Sequence, residues 1–408
     1  MRWFHTVSLL TLVGCAHEYA GALDVATLRS RGPAGLASLL AEYDTADAAQ
    51  RARLKPAIDL VAGQKDAHVS RLYWFEDLEA AKAEAKRARR PVLSLRLLGR
   101  LDEELSCANS RFFRTTLYAN AEVSAYLRQH YVLHWSSERP VPVATIDFGD
   151  GRKVTRTITG NSIHYVLDAD GRLVDALPGL YGARTFIDVL ERAERGAAMP
   201  PAQRAHWHET ELVALLERFN ADRKRAGASK EATQLPSVPG LDLKRAWPSA
   251  RAAVMLAIGK MEPELPLVQR LVPDTGATLK KDTTPWELIA PVRSDGAALD
   301  AESRALVLSK NPVDVTSPTT PTLTDELAVE LIKNLETSIA LDTARNEYAL
   351  HAVLHRWLRE HPTVSFEDFN REVYARLFLT PATDPWLGLV PALTWTALPN
   401  DGIELKRR

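Results

Sequence analysis

The feature that most constrains this chain is a helix-forming run stopped by a proline and followed at once by an apolar strand. Residues 76–90 hold five alanines among charged residues, with acidic groups first and basic groups last. That order suits the helix dipole and the composition suits a helix. Pro91 ends it, and Val92-Leu93-Ser94-Leu95-Arg96-Leu97-Leu98 reads as a buried strand. A new helical pattern begins near Cys107, Glu122 to Gln129 is helical again, and Tyr131 to Trp135 reads as a second strand. Two hairpin signals follow. Gly149-Asp150-Gly151 separates Val143–Phe148 from Val154–Ile158, and Asp168-Ala169-Asp170-Gly171 separates Ile163–Leu167 from Arg172–Ala176. Thr185 to Arg195 closes the section as an amphipathic helix. The order predicts an α/β fold, a central sheet covered by helices.

The chain is long enough for more than this section. Its 408 residues are 46% hydrophobic and 25% charged, an ordinary globular composition with room for two or three domains. The 51 basic and 52 acidic residues leave a formal net charge of -1, so nucleic acid is not an expected partner. Residues 199–235 read as a helical connector, and residues 236–408 as a mostly helical C-terminal domain. Its clearest helix is Asp325 to Leu358, whereas Pro285 to Thr324 has no convincing period. No later stretch is long and apolar enough to cross a membrane.

The start reads as an export signal. Met1-Arg2 precedes a short apolar run, Thr6 to Gly14, that ends in Leu12-Val13-Gly14-Cys15. These four residues resemble the lipobox of bacterial lipoprotein signals. The resemblance implies cleavage after residue 14, a diacylglyceryl group on Cys15, and, with Ala16 next, the periplasmic face of the outer membrane. The alternative is a soluble periplasmic or secreted protein. Residues 15–70 then form a tether and helical lead-in, with helix faces over Ala34–Leu40 and Leu54–Val61.

Residues 71–198 resemble the thioredoxin-like family, in particular its exported members with an added N-terminal helix. Trp74, the alanine-rich helix and Arg90-Pro91-Val92-Leu93-Ser94-Leu95 match the family's helix and following strand. Cys107-Ala108-Asn109-Ser110 falls where the family carries its redox motif, and residues 160–171 match its strand and hairpin after the cis-proline loop. Two positions depart from the pattern. Ser110 stands in place of the second motif cysteine. Ser162 stands in place of the cis-proline that shapes the substrate groove, and serine favours a trans bond. The resemblance implies Cys107 and Ser110 at the thiol centre, and Asn109, Asn161, Ser162 and His164 around the groove.

Cys15 and Cys107 are the two cysteines. With Cys15 lipidated, Cys107 is the free thiol. A thiolate at a helix N-terminus is stabilised by unpaired N–H groups. Without a resolving thiol nearby, it forms mixed disulfides but cannot release an oxidised product by internal closure. Conventional dithiol activity is therefore not expected. The first functional reading is an envelope lipoprotein that uses a thioredoxin-like domain for binding or scaffolding, with an envelope protein as partner and no required cofactor. The second is a monothiol exchange enzyme or isomerase with Cys107 as nucleophile and glutathione as co-substrate. Cysteine in a buried, purely structural role remains open beside both.

A third reading rests on Glu347, His351 and His355, which are spaced to share one helix face. Such a set can offer two imidazoles and a carboxylate to a metal. The alternative is a buried histidine pair bonded to Glu347 or Asp342, and metal is not the expectation. C-x-x-C-H, G-x-S-x-G and a nucleotide-binding glycine motif are absent from the sequence. His134 is expected to pack in its strand. His206 and His208, in a charged stretch, are expected to be exposed. Pro381 to Leu389 reads as a rigid loop, either a contact between the domains or a partner surface.

Overall fold

The computed structural model describes residues 24–158, 161–229, 286–310, 323–378, 380–387 and 397–404. Three helices open it: α1 (Val25–Ser30), α2 (Pro33–Thr45) and α3 (Ala48–Ala62). Asp24 caps α1 through the Thr27 amide. Asp47 and Gln50 form a reciprocal capping box on α3, and Gly63 ends that helix at φ 68°. The three helices enclose a small core of Leu36, Leu39, Leu54, Ile58 and Val61. A Cβ on Gly63 would lie 2.9 Å from Arg29 Nη2, so a left-handed glycine is needed there. Arg29 clips this lead-in to the next section, donating to the carbonyls of Val61 and Trp74, each at 2.7 Å.

The central sheet has five strands: β1 (Trp74–Phe75), β2 (Val92–Leu98), β3 (Val132–Arg139), β6 (Ile163–Leu167) and β7 (Leu173–Pro178). Their order is β1-β3-β2-β6-β7. β1, β3, β2 and β7 run in one direction, and β6, between β2 and β7, is antiparallel to both its neighbours. Six of the seven residues of β2 are buried, as expected of a strand covered on both faces. The strands β4 (Val143–Asp147) and β5 (Lys153–Thr157) stand apart as a two-stranded ribbon across the Gly149-Asp150-Gly151 turn.

Helices α4 (Leu78–Ala88), α5 (Ala108–Phe112), α6 (Ala121–His130) and α7 (Ala183–Ala198) intersperse the strands. A π-helical turn, Phe113–Leu117, extends α5. Strand alternation puts Arg96 and Tyr165 on one face of the sheet and His164 on the other. His164 packs against Phe113, Tyr118 and Phe186.

Beyond α7 come α8 (Arg204–Arg225), α9 (Ala301–Lys310), α10 (Asp325–Arg345), α11 (Ala352–Glu360) and α12 (Phe366–Glu372). α10 and α11 are one helical rod, joined through the π-helical turn Asn346–His351. α9 lies in the stretch where the sequence showed no period. These helices enclose a small cluster of their own, with Leu215, Phe219, Trp286, Ile289, Ala344 and Tyr348, and also share the core of the sheet. Leu350, Leu354, Phe366, Phe369, Tyr374 and Phe378 belong to the same buried cluster as Leu93, Leu95 and Val166. Arg96 stacks over Phe366, and Tyr165 packs edge-on to it. The C-terminal helices are thus a further layer on the sheet.

The closest seam lies after β7. Gly179 has φ 74°, and a Cβ there would come 2.5 Å from Asn346 Nδ2. Asn346 in turn donates to the Leu180 carbonyl at 2.7 Å. Gly179→Ala is therefore expected to destabilise the whole chain by more than ~1 kcal/mol. Urea unfolding followed by tryptophan fluorescence measures it, and an unchanged midpoint would count against this seam.

Candidate functional site

Two buried clusters carry chemistry, and the C-terminal layer helps to build both. The first surrounds Cys107. Its amide donates to the Leu98 carbonyl at 3.1 Å, which fixes the residue just beyond the end of β2. Cys107 Sγ lies 2.9 Å from Ser162 Oγ and 3.4 Å from Ser110 Oγ. Ser110 Oγ is also 2.7 Å from Ser106 Oγ and 2.8 Å from the Cys107 carbonyl, so its one hydrogen chooses among three acceptors. Every peptide bond among the described residues is trans, including that before Ser162.

The sulfur is not open to solvent: Cys107 is 0% exposed. The segment after α12 closes the groove beside it. Tyr374, in the π-helical turn Val373–Leu377, donates to the Asn161 carbonyl at 3.2 Å. The Asn161 side chain reaches the Phe378 carbonyl and Thr380 Oγ1, at 3.2 and 3.3 Å. Arg139, at the end of β3, donates to the carbonyls of Thr380 and Asp384. The part of the Pro381–Leu389 loop that the structure describes therefore contacts the sheet section. Burial, and then nearby negative groups that include Cys107, push the Tyr374 hydroxyl well above its ordinary value. Burial and then Cys107 do the same to Tyr118.

The groove residues divide accordingly. Ser110 and Ser162 meet the sulfur. Asn109 is buried in α5. Asn161 turns to the C-terminal segment. His164 bonds Tyr118 OH through Nε2 at 2.5 Å, and its Nδ1 has no partner among the described residues. Cys15 lies outside the described residues.

The second cluster differs from the set read in the sequence. His351 and His355 do stack, with ring centroids 4.2 Å apart. Glu347 is not with them. It faces Arg293, Arg218 and Arg192, at 2.9, 3.4 and 3.6 Å. The π-helical turn is the reason: across Asn346–His351 the rod departs from 3.6 residues per turn, which breaks the face an α-helix would carry. The carboxylate at the histidines is Asp175 of β7, with Oδ1 2.8 Å from His351 Nε2 and 3.9 Å from His355 Nδ1. His208 of α8 completes the group, its Nδ1 2.9 Å from His355 Nδ1. His208 is thus buried rather than exposed as its charged neighbourhood suggested, whereas His206 is exposed. The sequence signal for Asp175 was a lone acid inside the apolar strand Leu173-Val174-Asp175-Ala176-Leu177.

Burial holds the His208 imidazole down to about 4 against the pull of Asp175, and holds His355 well below its ordinary value. Both are neutral near pH 7. Burial alone would raise Asp175, but His351 and His355 outweigh it and keep the carboxyl below its usual range. One oxygen or nitrogen from each of Asp175, His351 and His355 falls within 4.8 Å of the others, a spacing open to a metal ion.

Apart from these clusters, a concavity of about 460 Å³ opens between α2, α6 and the sheet edge. Leu36, Leu40, Leu72 and Leu133 line it, and Asp44, Arg71 and Arg90 are among its charged residues. No family model matches this chain, and no curated protein or solved structure matches it at a significant level.

Two buried histidines away from the Asp175 cluster make stability pH-dependent. His134 bonds Ser94 Oγ at 2.8 Å; burial, then Arg96, hold it down to about 4 against Asp77 and the Glu76 backbone. Burial holds His164 down to about 3. Unfolded histidine binds its proton near pH 6.5 and these folded ones do not, so the unfolded state holds more protons below that pH. Stability is expected to fall as pH drops from 7 to 5, by up to ~2 kcal/mol for each group. His164→Gln should flatten the slope of urea midpoint against pH. A wild-type midpoint that stays constant over this range would contradict the assignment.

Proposed function

We propose that this chain is an envelope lipoprotein whose thioredoxin-like section acts as a binding scaffold, its thiol centre closed by its own C-terminal helices. The observation that carries this reading is the burial of Cys107 under the Tyr374–Asn161 contact. A disulfide substrate must reach the sulfur in line, and here the approach is filled by the same chain. No second thiol is available to resolve a mixed disulfide, since Cys15 is the one other cysteine.

The thioredoxin-like reading is supported by the position of Ser162. The resemblance assigns it to the groove beside the thiol, and its Oγ lies 2.9 Å from Sγ. The mixed sheet covered by helices is compatible with it. A binding role is supported by the β4–β5 ribbon. Ile146 and Phe148 lie on one face of this ribbon, both exposed, with Phe148 at 55%. Exposed apolar side chains on a free ribbon favour contact with a protein partner. Export rests on the Leu12-Val13-Gly14-Cys15 segment.

Two measurements test the proposal. With a thiol reagent such as iodoacetamide, Cys107 of the native chain is expected to stay unlabelled and to react on unfolding. Tyr374→Ala should accelerate native labelling at least about tenfold, the loss of ~1.4 kcal/mol of closure. Rapid labelling of the wild type would instead favour the monothiol exchange reading. In a bacterial host, Cys15→Ser is expected to abolish incorporation of labelled palmitate and release the chain from the membrane fraction. Unchanged membrane attachment of the variant would contradict lipidation.

A further inference from the structure

We infer that Asp175, His351, His355 and His208 form a binding site for one divalent transition-metal ion of the zinc class. The donors come from three separate elements, β7, the α10–α11 rod and α8, and all four side chains are buried. Tetrahedral zinc, with bonds of about 2.0–2.1 Å, needs donor atoms about 3.3 Å apart. Asp175, His351 and His355 bring donor atoms within 4.8 Å of one another, and His208 Nδ1, 2.9 Å from His355 Nδ1, reaches the ion as the fourth donor by side-chain rotation.

The chemistry of the donors fits. Imidazole nitrogens with one carboxylate and no thiolate suit zinc, cobalt, nickel or copper rather than magnesium or calcium. Histidine offers a lone pair to a metal through either ring nitrogen in its neutral form. His351 Nε2 faces Asp175, and Nδ1 of the same ring is buried without a hydrogen-bond partner among the described residues. Moving the ring proton from Nε2 to Nδ1 frees the first nitrogen as a ligand and leaves the ring neutral. His208 and His355 likewise face each other through Nδ1, where one proton is shared at 2.9 Å. A cation in its place removes the need for that proton.

The charge pattern points the same way. Among the described residues, no lysine or arginine stands within ion-pair distance of Asp175, whose side-chain partners are the two histidines. The nearby arginines are directed elsewhere: Arg192 to Glu211 and Glu347, and Arg204 to Asp168. With all four donors buried and no open coordination position, the ion ties β7 to α8 and the rod, as a structural zinc does.

The test is metal titration of the full-length chain in detergent, without a histidine tag and after removal of metals by chelation. About one equivalent of Co²⁺ per chain is expected, with the visible absorption of a tetrahedral ion, and Zn²⁺ should displace it and raise the thermal midpoint. Asp175→Asn and His208→Gln should each weaken Co²⁺ binding at least about tenfold. Circular dichroism establishes that each variant is folded, and if Asp175→Asn is not, His208→Gln decides. Absence of saturable uptake by the wild type overturns the site, as does uptake that folded variants leave unchanged. Neither result bears on Cys107 labelling, so this inference and the closed thiol centre fail independently.

Discussion

Asp175 sits in the middle of a buried strand, and among the described residues no lysine or arginine forms an ion pair with it. A carboxylate taken out of water in this way is costly unless its hydrogen-bond partners are held firmly. Here the partner is His351 at 2.8 Å, itself carried by the π-helical turn in the long C-terminal rod. The requirement to satisfy Asp175 therefore fixes the rod over β7. His355 and His208 follow, and with them α8. Gly179, Asn346 and the Gly182 amide, which donates to Thr343 Oγ1 at 2.8 Å, extend the same seam toward α7.

Once the rod is fixed, the segment that follows it must fold back across the sheet. α12 and its π-helical extension cover Arg96 and Tyr165 and reach Asn161, next to Ser162. The thiol centre is closed from that side. Its inner side is closed by Phe113, Tyr118 and His164, which pack as one aromatic group. The two buried clusters are thus linked through one polypeptide: the histidines anchor the rod, and the chain beyond it covers the sulfur. A thiol in such a place behaves as part of a packed core.

Local features of this architecture were legible in the sequence. The alanine-rich helix ending before Pro91, the buried strand Val92–Leu98 and the two hairpin turns are set by propensity, proline geometry and glycine at positive φ. The placement of Ser162 near Cys107 followed from the resemblance. What was not legible depended on contacts far apart in sequence. Amphipathic helices announce an apolar face but not what covers it, so the packing of Leu354 and Phe366 into the core of the sheet was not visible. His208 was read as exposed because Arg204, Glu209 and Glu211 surround it, yet Arg204 and Glu211 are buried too. Glu347 was grouped with His351 by a 3.6-residue period that the π-helical turn breaks. Asp175 was visible only as an acid among apolar neighbours, and its partners lie in helices 33 and more residues away.

The account stands on the C-terminal segment being part of the same cooperative structure as the sheet. Native-state hydrogen exchange tests this most directly, because it reports the free energy of opening for each segment. The amides of Val373–Leu377 are expected to exchange no faster than those of β2 and β6, in step with global unfolding. Exchange of that segment well before the sheet would show the cover to be loosely held, and would contradict the closed thiol centre.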